Sequence, residues 1–150
     1  MRIIRSLIAP AAALAVASGI AVLPALASAP PASAAVSCTG TSLLTGVLGL
    51  PVRLPTVGNG TGNDNCQLGV GNAGVAVTRL QIALDQCNLP LIPWPQIAED
   101  GIYGSAQTEP AVVATQRFFG VTPDGIYGPQ TRDAMFWPVA GSNGSICEKL

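Results

Sequence analysis

The sequence contains no histidine, and only 10% of its 150 residues are charged and 5% are aromatic. Without histidine the chain can build neither a Ser-His-Asp nor a Cys-His catalytic site, and it lacks the most common metal-binding side chain. No CxxC spacing is present either, which disfavours a zinc site made by cysteines. We therefore expect no metal site and no cofactor.

Residues 1–34 have the pattern of a secretory signal peptide, which is removed on export. Arg2 and Arg5 precede the apolar run Leu7–Ala27, and small residues follow it. We expect cleavage after Ala34. The apolar run is also long enough to span a membrane, so an uncleaved anchor is the alternative.

Basic residues are scarce in the rest of the chain, residues 35–150. This part holds five lysines and arginines against eight acidic residues, which gives a formal net charge of −3. A surface without a basic stripe cannot neutralise many phosphates, so we expect no nucleic-acid partner. The sequence predicts an exported extracellular monomer that has no contact with the membrane after cleavage.

All the cysteines lie in the exported part, at Cys38, Cys66, Cys87 and Cys147. Four cysteines in a small secreted chain predict two disulfides, with three possible pairings. We favour Cys38–Cys66, which closes the N-terminal segment, and Cys87–Cys147, which ties the C-terminal tail to the first predicted helix. The other two pairings remain open at this point.

One pentapeptide, Asp-Gly-Ile-Tyr-Gly, occurs twice, at residues 100–104 and 124–128. Asp-Gly predicts a turn, because the carboxylate accepts hydrogen bonds from nearby backbone N–H groups and glycine tolerates a positive φ. We expect the isoleucine to point inward and the tyrosine to offer an aromatic face with a polar tip. The predicted turn residues are Asp100, Gly101, Gly104, Asp124, Gly125 and Gly128.

Apolar periodicity and capping signals predict three helices, over residues 74–87, 108–119 and 129–136. In the first, Val77, Leu80 and Leu84 recur on one face with helical spacing. In the second, Thr108 is the expected N-cap, and Gly120 is the expected left-handed C-cap.

The remaining segments predict little regular structure. Residues 35–70 are rich in glycine, threonine and serine, and we interpret them as an irregular arm. Residues 71–137 form the predicted helical domain, and residues 138–150 form a polar tail. Three prolines within residues 90–95 are expected to exclude regular structure there.

Several of these elements occur in the order typical of one family. They are the string Val77-Thr78-Arg79-Leu80-Gln81, the two pentapeptides, Ala111-Val112, Gln116-Arg117-Phe118 and Thr131. Over about residues 71–137 the sequence closely resembles the three-helix peptidoglycan-binding domain family. The resemblance implies an all-α fold: a small three-helix bundle with two Asp-Gly-Ile-Tyr-Gly loops, here stapled by disulfides.

The chain departs from the family pattern at two places. One extra residue lies between Gly104 and Thr108, which puts the shape of any groove beside this loop in doubt. Thr115 stands where the family usually has an aromatic residue, so a contact in the core is lost.

The resemblance implies an exported, non-catalytic protein that binds the peptidoglycan of the bacterial cell wall, through its glycan or its stem peptides. Aromatic and polar side chains near the two loops are the ligand candidates: Tyr103, Tyr127, Trp94, Gln107, Gln130, Arg117 and Arg132. We expect Gln81 and Gln116 to tie helices to loops.

Catalysis by carboxylates alone is the remaining enzymatic alternative. A glycosidase needs only two carboxyl groups, and Glu99, Asp100 and Glu109 are available. The two short repeats leave little chain for a domain with a sugar cleft, so we expect no enzymatic activity.

Two other functions remain open. The chain could be a secreted protein-interaction module or an accessory module for a wall hydrolase, and the proline-rich loop around Trp94 would support this, because such loops make good binding hot spots. It could also be a purely structural protein of the wall surface.

Overall fold

The computed structural model describes residues 35–150. The predicted signal peptide, and its alternative as a membrane anchor, fall on residues 1–34 and lie outside the described residues. Within residues 35–150, no helix combines the length and the apolar character needed to cross a membrane.

The described part of the chain contains three α-helices: α1 (Val75–Ala83), α2 (Thr108–Phe119) and α3 (Pro129–Ala134). A π-helical turn, Leu84–Asn88, and a 3-10 turn, Leu89–Leu91, extend α1 directly. The 3-10 turn includes the first of the three clustered prolines, so the expectation of no regular structure in that stretch was wrong at its start. Proline is tolerated there because the first turn of a helix leaves its N–H groups without partners in any case.

The expected all-α class is wrong, because two small antiparallel sheets accompany the helices. Strands β1 (Gly40–Thr45) and β2 (Pro51–Thr56) form a hairpin, and β3 (Trp137–Pro138) pairs with β4 (Cys147–Glu148). The hairpin lies in the segment that we interpreted as an irregular arm. The segment therefore has regular structure despite its glycine and threonine content.

Burial in the common core explains why this hairpin forms. Val52 and Leu54 of β2 are fully buried in the same apolar cluster as Val77 and Leu80 of α1. Alternate residues of a strand face the same side, so a short apolar alternation is enough to bury one face of the hairpin. The hairpin is thus part of the domain core.

Two disulfides fasten the ends of the described chain to this core. One joins Cys38 to Cys66 across the hairpin segment, and the other joins Cys87, in the π-helical turn, to Cys147 of β4. These are the two bridges favoured among the three possible pairings.

The helix ends differ in part from the expected caps. Gly120 is the left-handed C-cap of α2, with φ of 71°, as predicted. The prediction of Thr108 as N-cap was wrong: Thr108 is the first residue of the helix, and its hydroxyl accepts a hydrogen bond from Gln81 instead. No side chain within residues 35–150 caps α2, and the Thr108 hydroxyl also donates to the Ile102 carbonyl at 3.3 Å, which links the helix to residues 100–104.

Candidate functional site

A buried glutamine on α1 holds the first pentapeptide loop. Its amide Nε2 donates to Asp100 Oδ1 at 2.9 Å and to the Ile102 carbonyl at 3.1 Å. Its Oε1 accepts from the Gly101 N–H at 2.8 Å. This residue, Gln81, is 1% exposed. The loop is therefore fixed to the helix through both its backbone and its aspartate.

The second loop is held in the same way by Gln116 of α2. Its Nε2 donates to Asp124 Oδ1 at 2.8 Å and to the Ile126 carbonyl at 2.9 Å, and its Oε1 accepts from Gly125 N–H at 2.9 Å. The expectation that these two glutamines tie helices to loops is confirmed. We call each arrangement a glutamine clamp.

The direction of the isoleucine and the tyrosine is opposite to the one predicted. Tyr103 and Tyr127 are 1% and 0% exposed, while Ile102 and Ile126 are 59% and 42% exposed. Adjacent residues in extended backbone point to opposite sides, so burying the larger aromatic ring forces the isoleucine outward. Neither tyrosine presents an aromatic face to a ligand, and both belong to the core.

The two tyrosine hydroxyls have different surroundings. Tyr103 donates to the Gly125 carbonyl of the second loop at 2.7 Å, so the first repeat is bonded to the next one. The Tyr127 hydroxyl is buried and has no hydrogen-bond partner among the described residues. We attribute this to its position in the last repeat, where no third loop offers a carbonyl. Burial raises the pKa of both phenols above the ordinary value, so both stay protonated at neutral pH.

This asymmetry predicts opposite effects for two identical substitutions. Tyr103→Phe leaves the buried Gly125 carbonyl without its donor and should lower the free energy of unfolding by about 1–3 kcal/mol. Tyr127→Phe removes a hydroxyl that has no partner and should be neutral or stabilising. Urea unfolding followed by circular dichroism measures both, and equal losses for the two variants would contradict the assignment.

A groove of about 640 Å³ lies beside the first loop, between this loop, α1 and the hairpin. Its lining residues come from all three elements: Thr41, Arg53, Ala73, Gly74, Val75, Thr78, Arg79, Ile82, Asp100, Gly101 and Ile102. We call this the hairpin groove.

Different side chains pack over the two loops. Gly74 lies seven residues before the clamp Gln81, and Glu109 takes the same place before Gln116. A Cβ atom on Gly125 would lie 3.0 Å from Glu109 Cγ, so the glutamate side chain packs over the second loop. At the first loop the nearest side chain is that of Thr78, whose Oγ1 would lie 2.7 Å from a Cβ atom on Gly101. The two repeats therefore share a fold but present different surfaces.

Two opposite charges border the hairpin groove. The Asp100 carboxylate accepts hydrogen bonds from the Ile102 N–H and the Gln81 amide, and these hold its pKa below the ordinary value, so it is ionised at neutral pH. The Arg53 guanidinium donates to Thr41 Oγ1 at 3.3 Å. Within residues 35–150 both ion pairs belong to Arg132, so neither groove charge is neutralised by a neighbouring side chain.

A third charged residue of the groove makes hydrogen bonds that hold the fold together. Arg79 donates from Nε to the Arg53 carbonyl at 2.7 Å and from Nη2 to the Pro138 carbonyl at 3.0 Å. Burial lowers its pKa, although arginine remains protonated at any physiological pH. This side chain joins the hairpin and the C-terminal segment to α1 and thereby fixes the width of the groove.

A smaller pocket of about 200 Å³ lies on the other side of the same loop. It is lined by Gln107 and Thr108, and it shares Asp100 and Ile102 with the hairpin groove. The extra residue of the first repeat lies in the segment that forms this pocket. Gln107 is exposed, and its Oε1 accepts from the Ala98 N–H at 3.0 Å.

The other predicted ligand residues lie elsewhere. Trp94, Arg117 and Gln130 are exposed, but they line neither the hairpin groove nor the smaller pocket. Arg132 is engaged in ion pairs with Asp64 at 3.0 Å and with Asp133 at 2.7 Å. Of the predicted ligand set, only Gln107 lies at a pocket beside the first loop.

The predicted turn residues are of two kinds: those whose backbone conformation or hydrogen bond makes the turn, and the glycines that end each loop. Gly101 and Gly125 have φ of 73° and 72°, a conformation that favours glycine, and Asp100 and Asp124 each accept a hydrogen bond from the N–H two residues on. A Cβ atom on the last glycine of either loop, Gly104 or Gly128, would meet no atom within 4 Å.

Sequence reasoning missed the residues that define the groove. Arg53 and Thr41 lie on the hairpin, which was not predicted, and Val75 and Ile102 were assigned to no site. Arg53 is paired with Leu43 across the hairpin, so only the strand register shows which way it faces. The outward Ile102 could have been found, because an isoleucine next to a buried tyrosine must face the other way.

Comparison with known proteins gives one family match. Residues 73–135 match the model of the family described as putative peptidoglycan binding domain. The match includes both glutamine clamps, both pentapeptide loops and most of the lining of the hairpin groove, but not the hairpin itself. No curated protein matches the chain.

Proposed function

We propose that this chain, which carries a peptidoglycan-binding domain in residues 73–135, is an exported protein that binds the bacterial cell wall and catalyses no reaction. The family match supports wall binding, and the two disulfides support an extracellular location, since such bonds persist in oxidising compartments. We place the binding surface at the hairpin groove.

One observation carries this placement. The hairpin groove is a shallow, open groove with exposed apolar walls and two charges of opposite sign, Arg53 and Asp100, that no ion pair within residues 35–150 neutralises. Ligand sites typically have this composition, with apolar walls and a few convergent polar groups. Beside the second loop the side chain nearest Gly125 is that of Glu109, whereas Thr78 is nearest Gly101 of the first loop.

The repeat offers a matched pair of variants to test the proposal. Ile102 and Ile126 occupy the same place in their loops, and both are exposed, so an aspartate at either position should leave the fold intact. Ile102→Asp puts a charge on the wall of the groove and should weaken binding at least tenfold. Ile126→Asp lies outside the groove and should bind like the wild type.

Co-sedimentation with purified insoluble peptidoglycan measures this directly. The protein is produced by secretion with its disulfides formed, and the bound fraction is determined over a range of wall concentrations. Saturable pelleting that Ile102→Asp weakens and Ile126→Asp does not is the expected result. A folded protein that stays in the supernatant would contradict the proposal.

Absence of catalysis has a separate readout. The protein should leave the turbidity of a bacterial cell suspension unchanged, whereas a wall hydrolase would lower it. A fall in turbidity that Ile102→Asp abolishes would show that the groove is a catalytic cleft.

A second candidate is binding to another secreted protein through Trp94. This side chain is 37% exposed and lies between Pro93 and Pro95, which limit its mobility. Two results together would indicate a protein partner. The protein would not bind purified wall at all, and in a crude extract its wall binding would be abolished by Trp94→Ala but not by Ile102→Asp.

A further inference from the structure

The bacterial wall has two components, glycan strands and stem peptides, and the chemistry of the hairpin groove favours one of them. The inference drawn from this chemistry rests on the proposed function. We propose that the groove takes the stem peptide, by its free C-terminal carboxylate and its alkylammonium group, and that it does not take the glycan strand.

The walls of the groove suit a peptide of small side chains. The apolar contributions come from Val75, Ile82 and Ile102, and the polar ones from hydroxyls and charges. The lining contains no aromatic ring and no side-chain amide, which are the groups that fit the faces and the hydroxyls of sugar rings. Aliphatic walls instead fit methyl groups and short alkyl chains, because burying them removes apolar surface from water.

The two charges complement two charged groups of such a peptide, its C-terminal carboxylate and its side-chain ammonium. The Arg53 guanidinium has a planar arrangement of donors that can bind a carboxylate with two parallel hydrogen bonds. The Asp100 carboxylate can accept from an alkylammonium group, and its pKa is already lowered by its own hydrogen bonds. A glycan built from neutral N-acetyl sugars offers no cation for Asp100.

The carboxylate-binding group comes from outside the family domain. Arg53 lies on β2, and the family match begins only at residue 73. The hairpin is fixed in place by the hydrogen bond from Arg79 of α1 to the Arg53 carbonyl and by the buried Val52 and Leu54 on either side of Arg53. The side chain of Arg53 is thus carried by a rigid strand to the border of the groove. The hairpin, through Arg53, and the first repeat, through Asp100, then together decide which part of the wall is recognised.

Three soluble probes separate the two ligand classes. They are the pentapeptide L-Ala-γ-D-Glu-L-Lys-D-Ala-D-Ala with a free C-terminal carboxylate, the same peptide with a C-terminal amide, and a tetramer of N-acetylglucosamine. Affinity for the secreted, disulfide-bonded protein is measured by isothermal titration calorimetry. We expect the free-acid peptide to bind, the amide to bind at least tenfold more weakly, and the sugar tetramer not to bind.

Two arginine variants supply the matched control. Arg53→Gln removes the charge from the groove, while Arg117→Gln removes a charge from an exposed position that lines neither pocket. The Arg53→Gln variant should bind the free-acid peptide at least tenfold more weakly than the wild type does. Its affinity for the amide should change little. Arg117→Gln should bind like the wild type. Unchanged thermal unfolding shows that both variants are folded.

The outcomes distinguish this inference from the proposed function. Binding of the sugar tetramer, or peptide binding that does not depend on Arg53, overturns the stem-peptide assignment. In that case, pelleting with whole wall that depends on Ile102 still supports wall binding. If the protein binds neither whole wall nor the peptide, the stem-peptide assignment and the proposed function are both overturned. Peptide binding that depends on Arg53 supports both.

Discussion

Replacing Gln116 by leucine is expected to lower the free energy of unfolding by about 3–5 kcal/mol. Leucine fills a similar volume but makes no hydrogen bond. The Gly125 N–H and the Ile126 carbonyl would lose their side-chain partner, and Asp124 would lose the amide that it accepts from. Leaving several buried polar groups without partners costs more than the net gain of any one bond.

Urea unfolding at equilibrium, followed by the helical circular-dichroism signal, measures this change. Gln81→Leu should give a loss of similar size, because it removes the same contacts from the first loop. The matched control is Gln130→Leu on α3, where the side chain is exposed and a change within about 0.5 kcal/mol is expected. A loss below 1 kcal/mol for Gln116→Leu would show that the clamp does not hold the loop.

Removal of either disulfide is the second large effect. The Cys38–Cys66 and Cys87–Cys147 bridges have sequence separations of 28 and 60 residues. Loop-closure entropy in the unfolded chain then predicts losses of about 3.6 and about 4.3 kcal/mol for the two double replacements by serine. For one small core these are large fractions of the whole stability.

The two double variants control each other, because the longer loop should give the larger loss in the same urea titration. Reducing agent added to the wild-type protein should shift its unfolding midpoint further than either pair of substitutions. A wild-type midpoint that does not move on reduction would contradict a contribution from the disulfides.

Local features of the helices could be predicted from the sequence. The apolar stripe of α1 shows helical periodicity, and Val77, Leu80 and Leu84 are all fully buried. Gly120 follows the last residue of α2 and takes the left-handed conformation that glycine permits. The expectation that Gln81 and Gln116 tie helices to loops also anticipated the clamps. Each of these signals lies within about one helix length of sequence.

The hairpin could not be predicted in the same way. Its strands are short, and its stability comes from packing Val52 and Leu54 against α1, which is a contact between distant parts of the sequence. Composition alone favoured an irregular segment, because glycine and threonine are common there. Tertiary burial overrode that local preference, as it often does for strands.

The groove was missed for the same reason. Asp100 was predicted as a turn residue, and Arg53 was not considered at all, since nothing in the local sequence relates them. The structure brings them to one groove because Arg79 ties the hairpin to α1 while Gln81 ties the first loop to the same helix. The pentapeptide marks the segment around Asp100, but no local motif marks Arg53 or relates the two segments.

The central claim is that the hairpin groove is the surface that binds the cell wall. Its most direct test is the mapping of backbone amide shifts by nuclear magnetic resonance, on addition of soluble peptidoglycan fragments to the secreted protein. The account predicts shifts at Arg53, in residues 73–79 and in residues 100–104, with residues 124–128 unchanged. Shifts confined to residues 124–128 or to the Trp94 loop, with the groove unchanged, would contradict it.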